Sequence, residues 1–564
     1  MKTVIVGGVA GGATAAARLR RLDEQAEIVV FERSGYVSYA NCGLPYYIGG
    51  VITDREELTL QTPESFWSRF RVDMRVRHEV TALHPDRKTV SVRDLETGRE
   101  FEESYDKLIL SPGARPTQPE IPGVGLEKLF TLRTVEDTLR IREFVERHHP
   151  KSVALAGGGF ISLELAENLR ELGMEVTMIQ RPKQLMNPFD PDMASFIHAK
   201  MRERGVRLML GHTVEGFEAS DGGVRVLLKG EEPVQADMVV LAIGVTPDTG
   251  LARAAGLELG VKGSIVVNDR METSVPEIYA VGDAVQVKHF VTGEDTLLSL
   301  AGPANKQGRI AADNICGIVS SYQGSQGSSV IKVFDMTAAV TGVNEQTARR
   351  AGIDCDKVYL SPSNHAGYYP GGKVLTLKVV YERGSHRLLG AQIVGFEGVD
   401  KRIDVLATAI RAGLTALELK DLDLAYAPPY SSAKDPVNMA GFMIENLTEG
   451  LVKQFHWDQL DALAQDPSVT LLDIRTAEEY DLGHVENSLH IPVDELRERL
   501  GEVPAGKPVY VICQSGLRSY IACRILEQRG FACWNLAGGY RLYEIVVLDR
   551  LAAEQAFPCG MDKR

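Results

Sequence analysis

The chain has 564 residues, more than the roughly 250 to 300 that one hydrophobic core organises, so several domains are expected. Its 62 Lys and Arg against 76 Asp and Glu leave a formal charge of −14, which argues against a nucleic-acid binder but permits local basic pockets for phosphorylated ligands. Seven cysteines, odd in number and widely spread, describe neither a disulfide framework nor zinc-ligand spacing, so cytosolic thiols and no metal are expected.

The amino terminus, "MKTVIVGG", enters an apolar strand at once and leaves no room for a cleaved leader, and no apolar run approaches a membrane span. A cytoplasmic protein with no membrane or nucleic-acid partner is expected. "KTVIVGGVAGGATAAARLRRL" reads as strand, glycine turn and helix, and "EIVVFER" as a second strand ending in Glu32. These are the parts of a mononucleotide-binding βαβ unit. Glycines bring backbone close to a pyrophosphate, the helix start favours its charge, and the acid receives a ribose hydroxyl. Val9 stands where the middle glycine of the usual spacing would be, between Gly7 and Gly12. "SYANCGLPYYIGG" follows, placing Cys42 with no second cysteine until Cys316.

"KSVALAGGGFISLELAENLRELGMEVTMIQR" repeats strand, turn, helix and strand with Gly157, Gly159 and, in the third glycine's place, Ser162. Two dinucleotide folds in one chain suggest two dinucleotides. The second strand ends in Gln180, with Arg181 and Lys183 just after it, where an acid would usually hold an adenosine ribose. A missing carboxylate beside cations permits a 2′-phosphate, so NAD(P)H is expected with a lean toward NADPH. "MVVLAIGVTPDTGL" reads as a strand running into a glycine-proline turn, and "PEIYAVGDAV" as a strand ending in Gly282 and Asp283. After "GFMIENLTEG" the pattern changes to helix, strand, helix, turn and strand, then an apolar "VYVI" leading into "CQSGLRS".

"GGVAGG", "SPGARP", "GGGFISLELAE", "AIGVTP" and "YAVGDAV", in this order, resemble the pyridine nucleotide-disulfide oxidoreductases over about residues 1 to 445. The resemblance implies FAD on the first fold, held by Gly7, Gly8, Ala10, Gly11, Gly12, Glu32, Arg33, Val80, Ser111, Gly113, Gly282, Asp283 and Ala301. It implies NAD(P)H on the second, held by Gly157, Gly159, Phe160, Ile161, Glu164, Gln180, Arg181 and Gly244. A homodimer formed largely by the third segment is implied with them.

Within that superfamily a single thiol beside a flavin reduces peroxide or oxygen, or a small-molecule disulfide through a mixed disulfide. Peroxidase and oxidase relatives carry a histidine in the first glycine turn; this chain has Ala10 there. "SYANCGLPYYIGG" is similar to the signature of coenzyme A disulfide and coenzyme A persulfide reductases, with Tyr39 replacing a phenylalanine. The resemblance implies coenzyme A contacts from Thr14, Arg18, Arg21, Ser38, Asn41 and Lys434. Arg18 and Arg21 are spaced to share a helical face. In "HAGYYPGG" and "LAYAPPYSSAKD" it implies two tyrosines that reach the partner subunit's thiol, Tyr368 and Tyr426, with Tyr369 and Tyr430 as competitors. Disulfide attack needs a thiolate, so a Cys42 pKa depressed by flavin proximity and nearby donors is expected.

"LDIRTAEEYDLGHV" and the loop Cys513-Gln514-Ser515-Gly516-Leu517-Arg518-Ser519 resemble a rhodanese sulfurtransferase domain, with Asp473 and Arg475 matching its structural pair. Backbone N–H groups at the helix start, with Arg518 adding charge, would favour a thiolate or persulfide on Cys513. Cys316, Cys355, Cys523, Cys533 and Cys559 read as packing or surface thiols.

The expected fold is α/β: two Rossmann-like dinucleotide-binding domains, an α+β dimerisation domain and a C-terminal α/β rhodanese domain. The expected boundaries are 1–114 with 246–325 (FAD), 115–245 (NAD(P)H), 326–449 and 455–564. The expected function is NAD(P)H-dependent, FAD-mediated reduction of coenzyme A disulfide, persulfide or polysulfide through Cys42, coupled to sulfane-sulfur handling at Cys513. A peroxidase or oxidase using a cysteine sulfenic acid, or a non-catalytic flavin redox sensor, are the alternatives.

Overall fold

The computed structural model of the protein describes residues 1–554. They pack into two compact units, Met1–Lys183 with Met209–Gly327, and Gln184–Leu208 with the chain from Ser328 onward. Residues 184–208, placed by sequence inside the NAD(P)H segment, therefore group with the later domains.

In the first unit, strand Lys2–Val6 lies between Glu27–Glu32 and Lys107–Leu110, with Asp73–Val76 and Ile278–Ala280 at the edges, all parallel. Val4, Ile5, Val30 and Ile109 are almost fully buried. That is what uninterrupted apolar runs require in a parallel sheet covered on both faces. An antiparallel sheet of His78–His84, Thr89–Asp94 and Glu100–Ser104 is inserted before Lys107–Leu110. The pattern recurs in the second dinucleotide fold, where Glu175–Gln180, Ser152–Ala156, Met238–Leu241 and Leu129–Phe130 run parallel in that order.

The second unit holds two sheets. One is antiparallel, in the order Ser329–Val333, Met336–Gly342, Leu388–Gly395, Thr376–Glu382, Cys355–Leu360, and helices Val399–Ala412 and Pro436–Thr448 belong to the same domain. The other is parallel, in the order Gln454–Phe455, Cys533–Leu536, Val509–Ile512, Thr470–Asp473, Leu489–His490.

Two polar clusters tie this unit together. Lys378, fully buried, donates to Asp192 at 3.0 Å and pairs with Asp190 at 2.9 Å and Glu345 at 2.6 Å. Lys357 reaches the other Glu345 oxygen at 2.6 Å. Asp549, in helix Gly539–Glu554, accepts from His198 Nδ1 at 2.7 Å and from Ser195 at 3.1 Å, and pairs with Arg202. The Leu185 N–H donates to His198 Nε2 at 2.9 Å, so the ring proton sits on Nδ1 and faces Asp549. Among the described residues, no helix is long and apolar enough to cross a membrane.

Candidate active site

The first glycine turn is shaped by steric exclusion. Gly7 has φ +100°, and a Cβ there would lie 2.0 Å from Ser111 O; one on Gly12 would lie 1.9 Å from Gly7 O. Helix Ala10–Leu22 follows with neither a side-chain cap nor an acid in its first turn, and the same holds for Ala301–Ile315. A Cβ on Gly308 would lie 2.3 Å from Gly11 O, so these two helices touch backbone to backbone. Two uncapped helix starts offer N–H donors to an anion. Glu32, at the end of its strand, accepts from Gly8 N and Ser34 N, each at 2.9 Å. The donor set and this carboxylate fit the pyrophosphate and ribose of FAD.

Around them, Ser111 N donates to Val6 O at 2.8 Å. Gly113 has φ +68°, and Val80 is 6% exposed. Gly282 N donates to Gln307 at 2.7 Å, and Arg33 pairs with Asp248 at 2.8 Å. Ala301 opens its helix.

The second cradle repeats the design. Gly157 has φ +126° and Gly159 caps helix Phe160–Glu171 with open space where a Cβ would stand. No side chain caps that helix and no acid lies in its first turn, which fits a second pyrophosphate. Ile161 lies in its first turn, Gln180 ends the next strand, Arg181 is exposed, and Gly244 has φ +126° beside open space.

Cys42 is exposed within the single turn Asn41–Gly43 that leads into helix Leu44–Ile48. Ser38, at φ +46°, donates its N–H to Gly8 O at 2.8 Å, which holds the thiol segment on the first glycine turn. With its amide oriented to its donors, Asn41 donates to Arg133 O at 3.1 Å and accepts from Arg133 at 3.2 Å. Arg133 in turn pairs with Asp283 at 2.6 Å. Among the protein's own groups, desolvation and then the Glu164 carboxylate push the Cys42 pKa up, Asp283 adds to this, and Arg133 opposes them; the depression expected for this thiol rests on the flavin and nearby donors. The Glu164 carboxyl is itself pushed up to about 7, by burial and then by the Glu167 charge.

Of the residues assigned to coenzyme A, Thr14 donates to Asn305 at 2.9 Å, and Arg21 is exposed. The Arg18 Nε is held by Asp313 at 2.7 Å, so its charge is already partnered. Lys434, in the second unit, is exposed. In that unit the Tyr368 and Tyr426 hydroxyls meet at 2.6 Å, with the two residues 76% and 45% exposed. Tyr369 instead sets its ring edge-on to His365, and Tyr430 is exposed.

In the parallel sheet of the second unit, Cys513 is fully buried at the end of Val509–Ile512. Its sulfur accepts from Gly516 N at 3.1 Å and lies 3.1 Å from Ser519 Oγ, whose single proton serves either that sulfur or Asn535 Oδ1. Gly516 has φ +96°, which lets the loop turn its N–H inward. The carbonyls of Cys513 and Gln514 accept from Tyr540 N at 2.8 Å and Arg541 N at 3.1 Å. Arg475 clamps Asp473 through Nε and NH2, both residues buried, and reaches Gln514 at 3.5 Å. Arg518 does not lend its full charge to the sulfur as expected, because it pairs with Glu479 at 2.7 Å. Ser515 is half-buried and Leu517 exposed along the loop.

Cys523 and Cys533, read from sequence as packing or surface thiols, are buried, and Cys533 Sγ donates to the Cys523 carbonyl at 3.4 Å. Cys316 and Cys355 are half-buried, and Cys559 lies outside the described residues. Sequence reasoning missed Arg133 and Asn535, and neither stands in a motif of its own.

A thiol held on a dinucleotide cradle, with a second such cradle in the same unit, defines a nucleotide-dependent thiol oxidoreductase. The pattern of the pyridine nucleotide-disulphide oxidoreductases matches residues 1–308, that of their dimerisation domain 328–436, and that of a rhodanese-like domain 456–545. The chain belongs to the pyridine nucleotide-disulphide oxidoreductase family and carries a rhodanese-like domain; FAD and NAD(P)H, the family's cofactors, correspond to the two cradles. It is 38% identical over 444 residues to a coenzyme A disulfide reductase of Staphylococcus aureus strain JH9, covering 78% of this chain and 99% of that protein. The structure of reduced Bacillus anthracis CoADR-RHD is 48% identical, with a TM-score of 0.95 over 97% of this chain and 98% of that one. An NAD-dependent persulfide reductase from A. fulgidus is 39% identical, with a TM-score of 0.91 over 96% of this chain and all (100%) of that one.

Proposed function

We propose that this enzyme reduces coenzyme A disulfide or coenzyme A persulfide and polysulfide with NAD(P)H, through a mixed disulfide on Cys42. The observation that carries the reading is the exposed Cys42 on the first cradle, with no second cysteine in its segment to close a disulfide. The names of the relatives, a coenzyme A disulfide reductase and a persulfide reductase, support it.

The Cys42 thiolate attacks one sulfur of the substrate disulfide; that S–S bond breaks, one thiolate leaves, and a Cys42–S–S–CoA bond remains. When bound, the flavin supplies the electron pair, drawn from NAD(P)H, that reopens this bond. Asn41 and Arg133 fix the thiol's position, and Arg133 supports the thiolate. The residues taken to hold the cofactors are those assigned from sequence, Gly7 to Gly12, Glu32 and Asp283 for FAD and Gly157 to Glu164 for NAD(P)H. Thr14, Arg21, Ser38 and Asn41 present themselves to coenzyme A, with Arg18 contributing what Asp313 leaves of its charge. The paired Tyr368 and Tyr426 serve the thiol site of a partner subunit in a homodimer, with Lys434 beside coenzyme A.

In the rhodanese-like domain, the Cys513 thiolate takes the outer sulfur of a persulfide donor, breaking the donor's S–S bond and releasing its thiolate. Gly516 N and Ser519 Oγ stabilise the sulfur anion. The test compares NAD(P)H oxidation by holoenzyme with coenzyme A disulfide, coenzyme A persulfide, peroxide and oxygen. Disulfide and persulfide turnover that disappears in Cys42→Ser, with flavin retained, is the expected result. Turnover confined to peroxide or oxygen would assign the thiol to sulfenic-acid chemistry instead.

A further inference from the structure

Three polar side chains, Cys513, Ser519 and Asn535, are buried together on one face of the parallel sheet of the rhodanese-like domain. Asn535, in strand Cys533–Leu536, stands in register beside Val511, and Cys513 follows Val511 by two residues, so strand alternation turns these side chains the same way. Helix Leu517–Glu527 covers that face, packing Ala522 and Leu526 on Val511, and brings Ser519 to the cluster from its first turn.

The Ser519 hydroxyl has one proton and competing acceptors. Its oxygen lies 3.1 Å from Cys513 Sγ and 2.5 Å from Asn535 Oδ1. Gly516 O, at 3.2 Å, already accepts from Asn535 Nδ2 and from Tyr520 N. The Nδ2 bond, at 3.1 Å, fixes the Asn535 amide with its oxygen on Ser519. Gly516 N donates to the sulfur at 3.1 Å whichever way the hydroxyl turns. The sulfur therefore has one fixed donor and one that can move.

The charge on the sulfur decides where the moving proton goes. A neutral thiol or disulfide sulfur is a weak acceptor, whereas a thiolate is a charged and stronger one. We propose that Asn535 is a positioning residue for sulfur loading on Cys513: its side-chain oxygen holds the Ser519 proton while the sulfur is neutral and gives it up to the thiolate. In the loading step the thiolate electron pair forms a bond to the outer sulfur of a persulfide donor. The donor S–S bond breaks, its electron pair leaves on the donor thiolate, and any proton on the outer sulfur travels with it. The Cys513 sulfur is then neutral, and the hydroxyl turns back to Asn535. In the thiolate state Asn535 Oδ1 is buried without its Ser519 donor; loading restores that donor, so Asn535 favours the persulfide over the thiolate. This rests on the proposed transfer of sulfane sulfur to Cys513.

The test is the equilibrium loading of Cys513 in the full-length holoenzyme without NAD(P)H, from glutathione persulfide at a fixed ratio to glutathione. Alkylation traps the thiol and persulfide forms of the Cys513 peptide, and mass spectrometry counts them. Asn535→Leu should lower the persulfide-to-thiol ratio about tenfold, because the thiolate no longer leaves a buried oxygen unpaired. Asn535→Asp keeps an oxygen against Ser519 and should stay within about threefold of the native ratio. In a Ser519→Ala background, Asn535→Leu should change nothing further, since its effect passes through that hydroxyl.

A role limited to holding Gly516 O gives the opposite pattern. Leu and Asp, both lacking the amide donor, then fail alike, and Asn535→Leu keeps its full effect without Ser519. Either of those results, or an Asn535→Leu ratio equal to the native one, overturns the proposal. If circular dichroism shows Asn535→Leu unfolded, Asn535→Asp decides: a ratio about tenfold below native overturns the proposal, and a native-like ratio upholds it. A native Cys513 that takes up no sulfur would sink the proposed sulfur transfer itself, and this role with it.

Discussion

The Arg133 guanidinium lies 2.6 Å from the Asp283 carboxylate and joins Asn41 through its remaining donors. Asn41 precedes the reactive thiol, and Asp283 lies in the turn Gly282–Ala284 that follows strand Ile278–Ala280, among the residues assigned to FAD, so one arginine ties the thiol segment to that turn. Among the described residues it is the cation that favours the Cys42 thiolate. Replacing it with methionine keeps much of the volume but leaves Asp283, Glu164 and desolvation unopposed. The Arg133→Met enzyme should show a Cys42 titration moved to higher pH and slower alkylation at pH 7, since less of the thiol is then thiolate. Weaker flavin retention should accompany it.

Ser519 tests the sulfur anion site in the rhodanese-like domain. Its hydroxyl is one of two donors within reach of Cys513, and a hydrogen bond to a charged acceptor contributes about 1.5–3 kcal/mol. Ser519→Ala should slow sulfur transfer from a persulfide donor roughly ten- to hundredfold, read as sulfide or thiol release, while NAD(P)H-dependent disulfide reduction is retained.

The buried cluster of the second unit predicts both a stability loss and an acid limit. Removing one partner of a buried ion pair costs about 3–5 kcal/mol, because the remaining charges stay unpaired. Lys378→Met should therefore lower the urea midpoint of this unit strongly, with Asp190, Asp192 and Glu345 left behind. Burial opposes the Glu345 charge, but Lys378 and Lys357 outweigh it and hold the carboxyl at about 2 instead of 4.5. A carboxyl that titrates lower folded than unfolded stabilises the fold above its unfolded value. That stability drains as pH falls from about 4.5 toward 2. In Lys378→Met, acid unfolding should begin at higher pH than in the native protein, as followed by circular dichroism.

How much of this was written in the sequence depends on how local the cause is. Gly7 and Gly157 were legible because a turn that brings backbone against backbone excludes a Cβ, and that demand leaves a glycine at a fixed place after an apolar strand. Cys42 and Cys513 were legible through the resemblance of "SYANCGLPYYIGG" and "CQSGLRS" to known loops rather than through any steric demand. Arg133 was not, because its partners Asn41 and Asp283 are far away in the chain and "TLRTVED" has no pattern of its own. Lys378 was not legible either: nothing in "TLKVVYE" marks its lysine, yet it is fully buried. Its compensation comes from Asp190 and Asp192, across a stretch that sequence had assigned to a different domain.

The central claim is that the partner thiol of Cys42 is brought by the substrate. Mass spectrometry of the holoenzyme, treated with coenzyme A disulfide and kept under non-reducing conditions, tests it most directly. A coenzyme A adduct confined to the peptide carrying Cys42, and removed on adding NAD(P)H, is the predicted result. An unmodified or sulfenic Cys42 in protein that turns over the disulfide at full rate would contradict it.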